Sequence, residues 1–191
     1  MKQYLGSCDY IDWQTSAVLA QANKLASQTS SELDIARNCF KFVRDEIEHS
    51  WDYQRDEPAC AASEVLNHMT GWCYAKSHLL AALLRANQIP TGLCYQRLTI
   101  EGNAGPYCLH GLNALYLKGY GWYRVDARGN NENVQAGLCP PKEKLAYPVK
   151  HPGEADLSGI WPQPLPVITN LLEKHHGCRE IRANLPDIEL Y

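Results

Sequence analysis

The chain has 191 residues, 45% of them hydrophobic and 20% charged, which suits one ordinary domain with enough apolar residues to bury a core. Intrinsic disorder and fibrous architectures are excluded by that balance. Eighteen basic against 21 acidic residues leave a formal net charge of −3, so no electrostatic footprint for nucleic acid exists.

At the N-terminus, Asp9 and Asp12 fall where a signal peptide would carry its apolar run, which disfavours export by that route. No stretch approaches the roughly 18 continuous apolar residues of a membrane span. The expectation is a cytoplasmic protein with no membrane partner. The eight cysteines, Cys8, Cys39, Cys60, Cys73, Cys94, Cys108, Cys139 and Cys178, contain no C-x-x-C pair and no tight cluster. They read as mostly buried thiols rather than as disulfides or a zinc knuckle.

Helical spacing begins at residues 16–24 and returns over 31–49, where Leu33, Ala36, Phe40, Val43 and Ile47 advance by three or four. Ser30 or Ser31 is the expected N-cap of this second helix. Residues 50–59, with Trp51, Tyr53 and Pro58, break the pattern as a loop, and 61–69 form a short helix. Residues 73–87 are apolar on too many faces for a surface helix, which predicts a buried central one ended by Pro90. Strands follow at about 91–100, 109–117 and 120–127. Beyond Arg128 a proline-rich loop is expected to lie across the sheet or beside a cleft, before a last helix over 167–175. The chain therefore reads as one α+β domain over 1–191, helical over about 14–90, then sheet and loop over about 91–191.

Cys73 opens the central helix, where unpaired backbone N–H groups and the positive end of the dipole favour a thiolate. An average cysteine is instead a buried structural thiol. Spacing brings two further residues into play. A hairpin with Leu117, Lys118 and Gly119 as its loop opposes Tyr116 with Tyr120 and, in the same register, His110 with Asp126. The period of two then sets His110, Leu112, Ala114 and Tyr116 on one face with Trp122, Arg124 and Asp126. A thiol nucleophile needs a base and a group to orient that base, and Cys73, His110 and Asp126 offer the three roles. Separately, each has a bland reading: a core thiol, a satisfied strand histidine and a turn-forming aspartate.

The segments Gly71-Trp72-Cys73-Tyr74-Ala75-Lys76-Ser77, Leu84-Arg85-Ala86-Asn87-Gln88-Ile89-Pro90, Leu109-His110-Gly111-Leu112-Asn113-Ala114 and Trp122-Tyr123-Arg124-Val125-Asp126-Ala127 resemble, in this order, the core of the transglutaminase-like superfamily. Phe42-Val43-Arg44-Asp45-Glu46-Ile47 is similar to the family's helix before its cysteine. The resemblance implies a papain-like α+β fold, with a buried helix carrying the nucleophile against an antiparallel sheet. It also implies a catalytic triad at Cys73, His110 and Asp126, and acyl transfer on a carboxamide without a cofactor. Trp72 stands where some members have Gln, so the expected oxyanion donor is the Cys73 backbone N–H.

Trp72 is also a candidate wall of the acyl-binding groove, and the loop at 101–108 a candidate rim. Lys76, one turn beyond Cys73, either lowers the thiol pKa or is merely a solvated surface lysine. His68, His78, His175 and His176 raise a zinc reading but lack ligand spacing, so no metal is expected. The favoured function is a cysteine peptidase or amidase whose partner is a peptide, protein or small amide substrate. The alternatives are amine cross-linking of the transglutaminase type and a catalytically silent protein-binding module.

Overall fold

The computed structural model describes residues 1–102 and 104–188. Helices α1 (Ser16–Ala26), α2 (Glu32–Lys41) and α3 (Ala62–His68) precede the central helix α4 (Cys73–Ala86). Short strands β1 (Glu48–His49) and β2 (Thr70–Gly71) pair in parallel. Strands β3 (Thr91–Thr99), β4 (Tyr107–Leu117) and β5 (Gly121–Val125) follow, then β6 (Gly137–Cys139), β7 (Lys142–Lys144), β8 (Ala155–Asp156), α5 (Pro166–Lys174) and α6 (Cys178–Ala183). The main sheet is antiparallel in the order β5-β4-β3-β8. Helix α4 lies between it and the layer of α1, α2 and α3.

Sandwiching of that kind explains why residues from Cys73 to Arg85 are buried on every face. Polar groups caught there need partners. Lys76 Nζ donates to the Ile47 carbonyl, His78 Nδ1 lies 2.7 Å from the Cys60 carbonyl oxygen, and Arg85 donates to the carbonyls of Thr91, Gly6 and Pro162. Lys76 is thus a buried residue, not the solvated surface lysine of one sequence reading.

The second helix is shorter than its periodicity predicts. Ser31 caps it as expected, its hydroxyl accepting from Asp34 N, but residues 42–46 widen into a π-helical turn. Ile47 is then extended, and Glu48 and His49 pair with Thr70 and Gly71. Tertiary strand pairing overrides the local pattern there.

In the hairpin, the observed register opposes Tyr116 with Trp122 and Leu117 with Gly121, leaving Lys118, Gly119 and Tyr120 as the loop. The expected register is therefore off by two residues. Burial decides it: Leu117 is 1% exposed and belongs in the strand, whereas Tyr120 is 48% exposed. Gly119 takes the left-handed conformation (φ +90°) that the turn requires. A two-residue slip keeps every side chain on its expected face.

The region expected as loop carries three short strands, and a further helix, α6, follows the predicted last one. Strand β8 pairs with β3, and Leu93 and Trp161 exchange backbone hydrogen bonds of 2.8 and 2.9 Å, so this proline-rich stretch covers the β3 edge. Such pairs are set by distant strands and leave no local period.

One glycine governs how closely β4 approaches α4. A Cβ on Gly111 would lie 2.8 Å from Tyr74 Cδ1 and 3.2 Å from Tyr74 Cα. Gly111→Ala is expected to destabilise the fold by about 1–3 kcal/mol through overpacking and to slow alkylation of Cys73 by shifting His110. Urea denaturation and labelling rates check both, and unchanged labelling would show that the close approach does not set the site.

Candidate active site

Trp72, extended at φ −66° and ψ 162°, caps α4 and makes Cys73 its first residue. The sulfur therefore sits where the helix leaves its first N–H groups unpaired. His110 arrives from β4, and Asp126 from the residue after β5. His110 Nε2 donates to Asp126 Oδ2 at 2.7 Å, leaving Nδ1 for the thiol. Asp126 is fully buried and also accepts from the backbone N–H groups of Arg128 (3.0 Å) and Ala146 (3.2 Å). Tyr147 stands edge-on to the His110 ring at 5.0 Å. Among the described residues, the three sequence candidates converge.

Burial alone would push the Cys73 thiol up, but the charge and hydrogen bond of His110, joined by those of His49, bring it down to about 6. His110 runs the other way: burial lowers it, while Asp126 and the Cys73 thiolate raise it to about 10. Asp126 is held below the usual carboxylate range despite burial, chiefly by the charge of His110 and by its hydrogen bonds. Both shifts favour a thiolate–imidazolium pair over a neutral thiol and imidazole.

A second imidazole escaped the sequence reading. His49, on β1 beside Gly71, lines the same cleft as Cys73 and helps lower its thiol pKa. Its ring is 5.5 Å from Trp72 in edge contact, and its Nδ1 is 3.6 Å from Asp52 Oδ1. Asp52 in turn is gripped by both terminal nitrogens of Arg128. Because 31–49 reads as one helix, the only signal available was the His49–Asp52 spacing beside Trp51.

These groups line a cleft of about 550 Å³ whose walls include Trp51, Trp72, Tyr147, His151 and Arg182. Trp72 lines the cleft, with its indole N–H buried and unpartnered. Of the segment 101–108, Gly102 and Cys108 line the cleft, next to Ile100, while Asn103 lies outside the described residues. Lys76 spends its amine on Ile47, and burial, with the Arg128 charge, lowers it to about 7. Among the described residues no group of three or more His, Cys, Asp or Glu could hold a metal. His78 is pushed to about 4 by burial.

The sequence profile of the transglutaminase-like superfamily matches residues 20–127, which include Cys73, His110 and Asp126. The chain belongs to this superfamily. No curated protein matches it. Among solved structures, a candidate cysteine protease from Cytophaga hutchinsonii aligns over 65% of this chain and 40% of its own length, with 18% identity and a TM-score of 0.52. The periplasmic domain of TgpA from Pseudomonas aeruginosa aligns at 18% identity and TM-score 0.49, over 65% of this chain and 45% of that one. A TGase aligns at 14% identity and TM-score 0.45, over 69% and 34%. The chain thus spans less than half the length of these solved proteins, and its likeness to the first is one of fold. Among the described residues, no helix is long and apolar enough to cross a membrane.

Iodoacetamide labelling of Cys73 is expected to be half-maximal near pH 6, well below the unperturbed thiol value of about 8.5. In His110→Ala the upward push of burial prevails, so the rate at pH 7 should fall at least about tenfold. Peptide mass mapping localises the label. A wild-type profile that rises only near pH 8.5 would refute the ion pair.

Proposed function

We propose that the chain is a cysteine-dependent acyl-transfer enzyme, a peptidase or amidase, in which Cys73 is the nucleophile, His110 the general base and acid, and Asp126 the group that orients His110. The observation that carries this reading is His110, clamped by buried Asp126 on one ring nitrogen and facing the helix-terminal thiol with the other. A helix N-terminus and an imidazolium together activate a thiolate at neutral pH.

The Cys73 thiolate adds to the carbonyl carbon of a carboxamide, and the carbonyl electron pair moves to oxygen. Collapse of this tetrahedral species breaks the C–N bond, and the amine leaves with the proton held by His110. Water then attacks the thioester as His110 removes its proton, and the acid product and the resting thiolate–imidazolium pair are released. No cofactor takes part. Trp72, with Trp51 6.3 Å away, walls the groove that receives the acyl group. Residues 1–191 act as one domain, and the thiols, all free among the described residues, suit a reducing compartment such as the cytoplasm.

Substrates are sought by screening peptides and small amides with mass spectrometry. Cys73→Ala is expected to abolish turnover while retaining its far-UV circular dichroism, and Asp126→Asn to lower kcat by about 10²–10⁴-fold. Turnover by Cys73→Ala at the wild-type rate would eliminate the thiol mechanism. Incorporation of a primary amine in preference to water would identify the reaction as cross-linking instead.

A further inference from the structure

We propose that His49 is a further catalytic residue, whose imidazole donates a hydrogen bond to the oxyanion formed when the Cys73 sulfur adds to a carboxamide. This assignment rests on the acyl-transfer reading above. Three observations carry it.

The first is placement. His49 pairs with Gly71, so its strand runs alongside the residues that lead into α4. The backbone N–H of Cys73 has no acceptor within the helix. His49 reaches the cleft from the strand paired with the residues before Cys73, whereas His110 reaches it from β4. Both histidines line the cleft with Cys73, and the charge of each draws its thiol pKa down.

The second is an unmet polar group. His49 is 6% exposed, yet its Nδ1 is buried with no partner at hydrogen-bond distance. Buried polar nitrogens are rarely left so, and the nearest acceptor, Asp52 Oδ1, stands 3.6 Å off. Asp52 and the oxyanion are the two anionic acceptors that the ring nitrogens of His49 face.

The third is the device that holds Asp52. The Arg128 guanidinium grips both of its carboxylate oxygens, and Asn131 Nδ2 adds a contact at 3.3 Å. The backbone N–H of the same Arg128 donates to Asp126. One residue therefore ties together two His–Asp pairs that flank a single sulfur. Asp52 and Arg128 are positioning residues in this scheme.

As the S–C bond forms, the carbonyl π pair moves to oxygen, and the N–H groups of Cys73 and His49 donate to it. When the C–N bond breaks, that pair reforms the carbonyl and the amine takes its proton from His110. His49 gives up no proton and ends the step unchanged.

Two probes separate this role from thiol activation. Iodoacetamide alkylates Cys73 without forming an oxyanion at a carbonyl, whereas p-nitrophenyl acetate acylates it through one. Both rates are measured at Cys73 by mass mapping, with Cys73→Ala as background. In His49→Ala, acetylation should fall about 10²–10³-fold and by at least about tenfold more than alkylation, with partial rescue in His49→Gln, an uncharged donor. His49→Phe keeps a ring against Trp72 without nitrogens and supplies the same ratio where the alanine variant melts early. An equal fall in both rates, or unchanged acetylation, overturns the assignment. So does a selective loss of acetylation found only in Trp72→Phe, which removes the neighbouring indole N–H. A wild-type Cys73 that reacts with neither probe brings down the acyl-transfer reading itself, and the role of His49 with it.

Discussion

Helix α4 is buried on every face, and the rest of the structure follows from what that burial demands. An entirely apolar helix would satisfy the core but fix nothing around it. This one carries Lys76, Ser77, His78 and Arg85, and each must find an acceptor or donor in a dry interior. Lys76 reaches the Ile47 carbonyl and so secures the segment that bears His49 two residues later. His78 fastens the chain at Cys60 before α3, and Arg85 gathers Gly6, the start of β3 and Pro162. Five segments of the chain are thereby referred to one rigid rod whose first residue is Cys73.

The sheet is referred to the same rod. Asn113 Nδ2 donates to the Ser77 carbonyl at 2.9 Å, and Tyr74 donates to the Leu109 carbonyl. Gly111, having no Cβ, lets β4 close on Tyr74. His110 lies between these contacts, so its distance from Cys73 is set by backbone packing and not by its own rotamer alone. Charges buried in this way cost free energy when unpaired. The arrangement meets that cost by pairing His110 with Asp126 and Arg128 with Asp52.

Much of this was legible in the sequence, and the part that was not has a physical cause. The central helix, the sheet strands and the convergence of Cys73, His110 and Asp126 follow from periodicity and from the motifs of the superfamily. The hairpin register was wrong by two residues, yet the face assignment survived because side chains alternate with a period of two. His49 was hidden because Leu33 to Ile47 hold helical spacing up to the π-helical turn, and a two-residue strand has no period of its own. Strands β6, β7 and β8 were hidden for the same reason: their pairing is dictated by partners elsewhere in the chain.

The cysteines show how much of the chemistry belongs to the partners. Burial pushes Cys39, Cys60, Cys94 and Cys108 up to about 12, each a protonated and unreactive thiol at neutral pH. Cys73 is as buried as these and experiences the same desolvation, yet it falls to about 6 because two imidazoles face its sulfur. Exposure would have ranked it poorly as a nucleophile. A dry pocket strengthens each charge interaction it encloses, so the burial that silences an unpaired thiol makes a paired one a stronger candidate for catalysis.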